Sequence, residues 1–243
     1  MECLFFPKLE KNNKPFSLNP DEQKHLKVLR VQENEHILIT NGLGLSALCK
    51  VNYGNKWQAI LSPLEYFDNF GELPVGISLL CCKISDRDRL EFLIEKSTEF
   101  GVEHFFIVNC KYSQPGNINI NRLESKAISA MKQSKRSVLP QFSILNGIVE
   151  NPNLFDEFDK IILLDENGMK AYNFTINNNF DKDIKMKFLI VVGPEGGLNN
   201  EELEFFLDAK FSNKLIKWNL GNRRLRTETA AIKAISILTK YYD

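Results

Sequence analysis

The sequence predicts an α/β protein in two parts: a small β-barrel over residues 1–72 and a larger α/β domain with a largely parallel sheet over residues 73–243. Three observations carry this reading. The N-terminal region breaks into short β-rich runs set apart by Asn and Gly turn signals. Turn residues crowd into Phe70-Gly71-Glu72-Leu73-Pro74, where the hydrophobic period changes. Beyond that point apolar runs of strand length alternate with helical periods. A chain of 243 residues is long enough for each part to bury a core.

In the first part, His36 to Thr40, Leu45 to Val51 and Trp57 to Leu61 read as strands, separated by Asn41-Gly42 and by Asn52-Tyr53-Gly54-Asn55. Pro20 opens one helical segment over Asp21 to Leu29. In the second part, Gly76 to Cys82 reads as a strand. Asp86 then caps a helix whose apolar face is Leu90, Leu93, Ile94 and Phe100, and Gly101 ends it. His104 to Val108 is the next strand, and a helix through Leu123, Ala127, Ile128 and Met131 leads to Pro140. Phe142 to Leu145, Ile161 to Leu164, Phe188 to Val192 and Leu215 to Trp218 complete the sheet, with helices after Asn199 and Arg226. Asn177-Asn178-Asn179 marks a loose loop.

Composition narrows the classes. With 43% hydrophobic and 26% charged residues the chain is neither disordered nor fibrous. Its apolar runs fall far short of the roughly 18 residues a membrane helix needs, and the N-terminus lacks a signal-peptide pattern, so a cytoplasmic location is expected. Five cysteines without a Cys-x-x-Cys pair argue against a disulfide framework or zinc knuckle. His25, His36 and His104 have no metal-ligand spacing, so no metal is expected.

Net charge is zero, 31 basic against 31 acidic residues, yet the charges are segregated. Residues 209–240 hold eight Lys/Arg against Glu228 alone, and residues 111–136 hold six against Glu124, enough for a basic face on a neutral protein. Arg223, Arg224 and Arg226 cluster in a chain that otherwise prefers lysine, which suits a planar donor fork gripping phosphate. Solvated helix-end charges are the plainer reading of any one such run.

In open α/β sheets ligands bind beyond the carboxyl ends of strands, and three such ends stand out. Gly193-Pro194-Glu195-Gly196-Gly197-Leu198 leads into a helix that Asn199 and Glu202 can cap reciprocally. Asn219-Leu220-Gly221-Asn222-Arg223-Arg224-Leu225 again joins strand to helix, and Asp165-Glu166-Asn167-Gly168 follows the third strand. A single Gly-rich turn is commonly a tight connection. These segments match neither the dinucleotide nor the P-loop template, and Glu195 would repel a phosphate while suiting a cationic or hydroxyl-rich ligand.

Gly193 to Leu198 with Glu202, followed by Leu220-Gly221 and Leu225-Arg226-Thr227-Glu228-Thr229-Ala230-Ala231, closely resembles the RsmE family of SPOUT-class RNA methyltransferases. His25-Leu26 with Val28-Leu29-Arg30, Glu91 with Lys96 to Val102, and Gln133 to Pro140 resemble further motifs of that family. The chain departs from the family pattern at Lys132, Asn222, Arg224 and Cys110-Lys111-Tyr112-Ser113. The resemblance implies a PUA-like RNA-binding β-barrel over 1–72 and a SPOUT (α/β-knot) methyltransferase domain over 73–243 with a C-terminal trefoil knot. It also implies a homodimer using S-adenosyl-L-methionine to methylate N3 of a uridine, uracil 1498, in 16S ribosomal RNA of the small ribosomal subunit. A knot is too rare to be inferred from periodicity.

On that resemblance Leu164, Asp165, Glu166, Gly193, Pro194, Glu195, Gly196, Gly197, Asn219, Leu220, Gly221, Leu225 and Thr229 would hold the donor, Leu220 and Leu225 packing the adenine faces. Uracil N3 carries a proton that must leave, so Glu195 and Glu228 are candidate bases and Arg226 would stabilise charge developing on O2 or O4. Helix capping and an internal salt bridge are equally good accounts of these three. Lys27, Arg30, Lys132, Lys135, Arg136, Arg223 and Arg224 would grip RNA, and Tyr112 could stack on a splayed base. The competing readings are a SPOUT enzyme with another target, such as a tRNA ribose 2'-hydroxyl, and a non-catalytic RNA-binding assembly factor.

Overall fold

The computed structural model describes residues 1–54, 58–113, 116–174 and 185–242. The expected Asn177–Asn179 loop, together with Asn55 and Trp57, lies outside them. Met1–Glu72 with Ile128–Leu139 form one compact unit; Leu73–Ala127 with Pro140–Asp243 form the other.

In the first unit β1 (Cys3–Phe5), β2 (Phe16–Ser17), β3 (His36–Thr40), β4 (Leu45–Tyr53) and β5 (Ala59–Asp68) make one sheet in the order β1-β3-β4-β5-β2. Helix α1 (Pro20–Val28) begins at the expected proline, and the Asn19 side chain accepts from the Glu22 N–H. Leu26 of α1 is buried with Leu4, Ile37, Ile39, Ala47, Val51 and Leu61. The Gln23 amide ties this helix to Ala59 twice, donating to its carbonyl and accepting from its N–H. β1 and β2 are too short to show a period in the sequence; β1 exists because Cys3, Leu4 and Phe5 lie parallel to Leu38, Ile39 and Thr40. β5 continues well past Leu61 and through Pro63, where the ladder to β4 shifts register between Leu48 and Cys49 and so accommodates a residue lacking an N–H.

In the second unit six strands run parallel: β6 (Gly76–Cys82), β7 (Val102–Val108), β8 (Gln141–Leu145), β9 (Lys160–Lys170), β10 (Lys187–Val192) and β11 (Leu215–Asn219). Their order is β11-β9-β10-β6-β7-β8. Phe188 to Val192 are all buried, the unbroken apolar run of a central strand covered on both faces. Helices α2 (Arg87–Glu99) and α5 (Thr227–Thr239) pack together, and α5 also lies against β10 and β6. Asp86 caps α2 through the Arg89 N–H, and Gly101 takes the left-handed conformation (φ +95°) that ends it. Phe100, expected on the buried face, is 36% exposed because it is the C-cap rather than a helical position.

Helix α3 (Ile120–Ser134) is present as expected, and α4 (Asn200–Leu207) starts at a complete capping box. The phenylalanines are largely core: Phe155 meets Phe205, Phe206 and Phe211 edge-on. Cys82 and Cys110 are joined as a disulfide, with Cα atoms 5.7 Å apart. This is a single bridge rather than a disulfide framework, and the sequence does not point to it. Cys82 lies opposite Val108 in the β6–β7 ladder, a proximity that sequence spacing does not show. Among the described residues no helix is long and apolar enough to cross a membrane.

Candidate functional site

Because β11, β9 and β10 are parallel neighbours, their carboxyl ends open on one edge of the sheet, bringing together the three loops singled out in the sequence. After β10 the chain turns through Gly193 to Leu198, with the Gly197 N–H donating to the Pro194 carbonyl at 2.9 Å. The left-handed residue is Gly197 (φ +80°), and a Cβ there would meet nothing within 4 Å, so the backbone faces open space. Gly196 is small for a different reason. Its Cβ would sit 3.3 Å from Cβ of Tyr112, a residue that is 56% exposed.

Buried Glu202 joins this turn to the segment after β7. One oxygen accepts from the Asn199 N–H (2.8 Å) within the capping box, and the other accepts from the Lys111 N–H (2.9 Å).

The strand β9 runs past Leu164, which corrects the expected loop at 165–168. Its ladder with β11 jumps from Leu163 opposite Lys217 to Met169 opposite Trp218, leaving Leu164 to Gly168 bulged out between them. Gly168 is required there, since a Cβ would lie 2.7 Å from the Lys217 backbone. Asp165 pairs with Lys217 at 3.0 Å and accepts from the Asn167 N–H at 2.8 Å. Burial pushes its acidity down, but the Asn167 N–H and Lys217 outweigh that and hold its carboxyl below the ordinary aspartate value.

The loop after β11 is held from two sides by lysines that the sequence reading missed. Lys170 Nζ donates to Asn219 Oδ1 (3.2 Å) and Asn222 Oδ1 (3.1 Å), and Lys233 Nζ donates to the Leu220 carbonyl (2.6 Å). The Asn219 side chain also accepts from the Gly221 N–H and donates to the Glu166 carbonyl. Leu220 and Leu225 are half-buried, while Thr229 is exposed on the first turn of α5. Neighbouring Thr227 donates to the Gly193 carbonyl at 3.3 Å, tying α5 to the Gly-rich turn.

Both candidate bases meet one guanidinium. Arg89, from the first turn of α2, forks onto Glu228 with Nε to Oε1 at 3.0 Å and Nη2 to Oε2 at 2.7 Å, and Nη2 lies 2.8 Å from Glu195 Oε1. Burial pushes the Glu228 carboxyl up, but Arg89, its own backbone N–H and Arg226 together hold it below the usual range. The two carboxylates raise the affinity of Arg89 for its proton further. Arg226, the N-cap residue of α5, is exposed; its carbonyl accepts from the Ala230 N–H, and its guanidinium makes no hydrogen bond or ion pair among the described residues.

Several residues expected to grip RNA are committed elsewhere. Arg136 is 2% exposed and donates through Nε (3.0 Å) and Nη2 (2.6 Å) to Glu72, which is equally buried. Lys132 is mostly buried, with Nζ 2.7 Å from Glu22 and 3.2 Å from His25. Lys135 is a left-handed residue (φ +58°) just past α3, half-buried, with its carbonyl against Gly71. Arg224 donates to the Glu195 carbonyl at 3.0 Å and so braces the Gly-rich turn. Acids distant in sequence thus take up the charges of Lys132 and Arg136, whereas the Arg224 guanidinium is exposed and has no acidic partner among the described residues. Lys27, Arg30 and Arg223 are exposed.

A family model described as the RNA methyltransferase domain matches residues 71–239, and one described as the RNA methyltransferase PUA domain matches residues 18–64. The ribosomal RNA small subunit methyltransferase E of Buchnera aphidicola subsp. Acyrthosiphon pisum is 31% identical over 231 residues, 90% of this chain and 85% of that protein. Its counterpart in Rickettsia conorii is 29% identical over 233 residues, 92% and 89% of the two chains. The crystal structure of the Neisseria gonorrhoeae ribosomal RNA small subunit methyltransferase E bound to S-adenosyl methionine matches with a TM-score of 0.80 at 28% identity, covering 100% of this chain and 98% of that one. The parallel-sheet unit is thus a SPOUT-type methyltransferase fold and the five-stranded unit a PUA-like barrel. This chain belongs to the RNA methyltransferase family that contains the ribosomal RNA small subunit methyltransferases E.

Proposed function

We propose that this chain transfers a methyl group from S-adenosyl-L-methionine to N3 of a uridine in 16S ribosomal RNA of the small ribosomal subunit, acting as a cytoplasmic homodimer. The observation that carries the reading is the meeting of the turn after β10 with two carboxylates and a guanidinium, beside the loop after β11 and the β9 bulge, with the Gly197 backbone facing open space. That edge offers backbone N–H and C=O groups without side-chain obstruction, which suits an adenosine and an amino-acid moiety. Leu164 to Glu166, Gly193 to Gly197, Asn219 to Leu225 and Thr229 would hold the donor, and Lys217 keeps the Asp165 carboxylate from turning outward. The donor supplies an electrophilic methyl group on a sulfonium; the protein aligns the attacking nitrogen and provides for its proton.

Arg226, unpaired among the described residues, is suited to charge building on O2 or O4 of the base. The barrel, assigned to 1–72 with the methyltransferase domain over 73–243, would contact phosphates through Lys27 and Arg30, and Arg223 would do so near the reacting edge. The trefoil knot belongs to the same reading, supported by the insertion of β10 between β9 and β6.

The test is methylation of small subunits isolated from cells lacking this protein, with mass mapping of the ribosomal RNA and calorimetry of donor binding. A new methyl group on one uridine base, with heat on adding the donor, is expected. Methylation of a ribose, or folded protein giving no heat, would overturn the reading.

A further inference from the structure

We propose that Arg89 is a positioning residue that divides the two carboxylates between them: Glu228 anchors the guanidinium and Glu195 is the proton acceptor. The proposal rests on the methyl-transfer reading above and assigns the part of it that sequence motifs leave open between two acids.

The geometry is asymmetric. Arg89 spends two donors in parallel on Glu228, whose side chain is 8% exposed, whereas Glu195 receives only the edge of Nη2 and is 45% exposed. A bidentate fork needs both carboxylate oxygens as acceptors. Protonating buried Glu228 would leave a half-buried guanidinium donor facing an O–H, so this acid is poorly placed to take and pass on a proton. Glu195 sits in the Gly-rich turn, and its carboxylate has no second ion-pair or hydrogen-bond partner among the described residues. Glu228 shares the Arg89 Nη2 with it, Arg224 holds its carbonyl, and Arg226 acts on Glu228 from the start of α5.

The backbone under each group is fixed independently. Asp86 holds the Arg89 N–H at 3.0 Å, Thr227 ties the start of α5 to Gly193, and Arg224 braces Glu195 through its main chain. The guanidinium therefore joins three elements, α2, α5 and the turn after β10, at the edge where the loops converge. In the reaction the N3–H bond breaks with its proton passing to Glu195. The N3 electron pair forms the bond to the methyl carbon as the C–S bond breaks, its electrons staying on a neutral thioether. Glu195 then releases the proton to water.

The experiment compares Arg89→Ala, Arg89→Lys, Glu195→Gln and Glu228→Gln by steady-state methyl transfer from labelled S-adenosyl-L-methionine onto unmethylated small subunits, with kcat followed against pH. General-base catalysis is worth about 100-fold or more, so Glu195→Gln should lower kcat by about that factor and abolish the acid limb of its pH profile. Glu228→Gln should keep the acid limb and lose less than about tenfold in kcat, since one acceptor oxygen remains. Arg89→Ala should lower kcat by about 100-fold with donor KM little changed, and Arg89→Lys should recover part of it.

Loss of the acid limb in Glu228→Gln but not Glu195→Gln would overturn the proposal. So would an Arg89→Ala effect confined to KM. If Arg89→Ala does not fold, Arg89→Lys and the two Gln variants decide the matter. A wild type that methylates no RNA fails the functional reading and this proposal with it; a Glu195→Gln enzyme equal to an active wild type fails this proposal alone.

Discussion

Replacing Glu72 with alanine removes the carboxylate partner of a buried cation and an acceptor of two backbone amides at once. The carboxylate takes Arg136 Nε at 3.0 Å and Nη2 at 2.6 Å, and its other oxygen takes the N–H groups of Ser137 and Val138, both at 2.8 Å. Both charged side chains are 2% exposed. Removing one partner of a buried pair costs about 3–5 kcal/mol, because the surviving charge stays desolvated. Each stranded amide adds about 1–3 kcal/mol, but water entering the vacated space serves all of them, so a total of about 4–6 kcal/mol is expected. At about 2–4 °C per kcal/mol for a chain of this size, Tm should fall by about 8–24 °C. Thermal melts give that number. Hydrogen exchange should show the loss concentrated in residues 1–72 and 128–139. A double variant, Glu72→Met with Arg136→Met, should recover the part of the loss that comes from the stranded charge but not the part from the two amides, since an apolar pair carries no charge-desolvation penalty yet offers the Ser137 and Val138 N–H groups no carboxylate. Glu72→Ala within about 1 kcal/mol of wild type would refute the reasoning. Arg136→Ala that stays stable and loses only RNA affinity would do the same, returning Arg136 to the RNA face.

Gly197→Val should cost about 1–2 kcal/mol of stability from its positive φ and lower donor affinity more than about tenfold, because the side chain enters the open space in front of the turn; calorimetry with unchanged donor affinity would remove the turn from the site. Lys27→Ala with Arg30→Ala should weaken RNA binding and reduce its salt slope by about 1 to 2 while leaving donor affinity alone, whereas Lys132→Ala should chiefly destabilise, by exposing buried Glu22. The Glu228 carboxyl titrates below its reference of 4.5, so its contribution to stability is full above about pH 4.5 and fades as pH falls through the lower folded value. Urea titrations at pH 3–6 should therefore show a shallower acid loss in Glu228→Gln than in wild type, and identical slopes would count against the Arg89 clamp.

The features legible in the sequence are those set by near neighbours along the chain. Asp86 and Asn199 reach N–H groups three residues on, Gly101 supplies the left-handed residue after a helix, and Phe188 to Val192 is apolar throughout because a central parallel strand is covered on both faces. The three Gly-rich or polar strand ends were visible as punctuation, and their convergence follows once β9, β10 and β11 are neighbours. Tertiary structure alone decided which charges are free. Lys132 meets Glu22 across 110 positions, Arg136 meets Glu72 across 64, and Arg89 meets Glu228 across 139, so a basic run in sequence became two buried pairs, and a residue no motif singled out became the partner of both candidate bases. A charge's role depends on what desolvates and pairs it, which is a property of packing rather than of neighbouring letters. The same holds for the bulge in β9 and for β1, whose three residues are a strand only because β3 lies beside them.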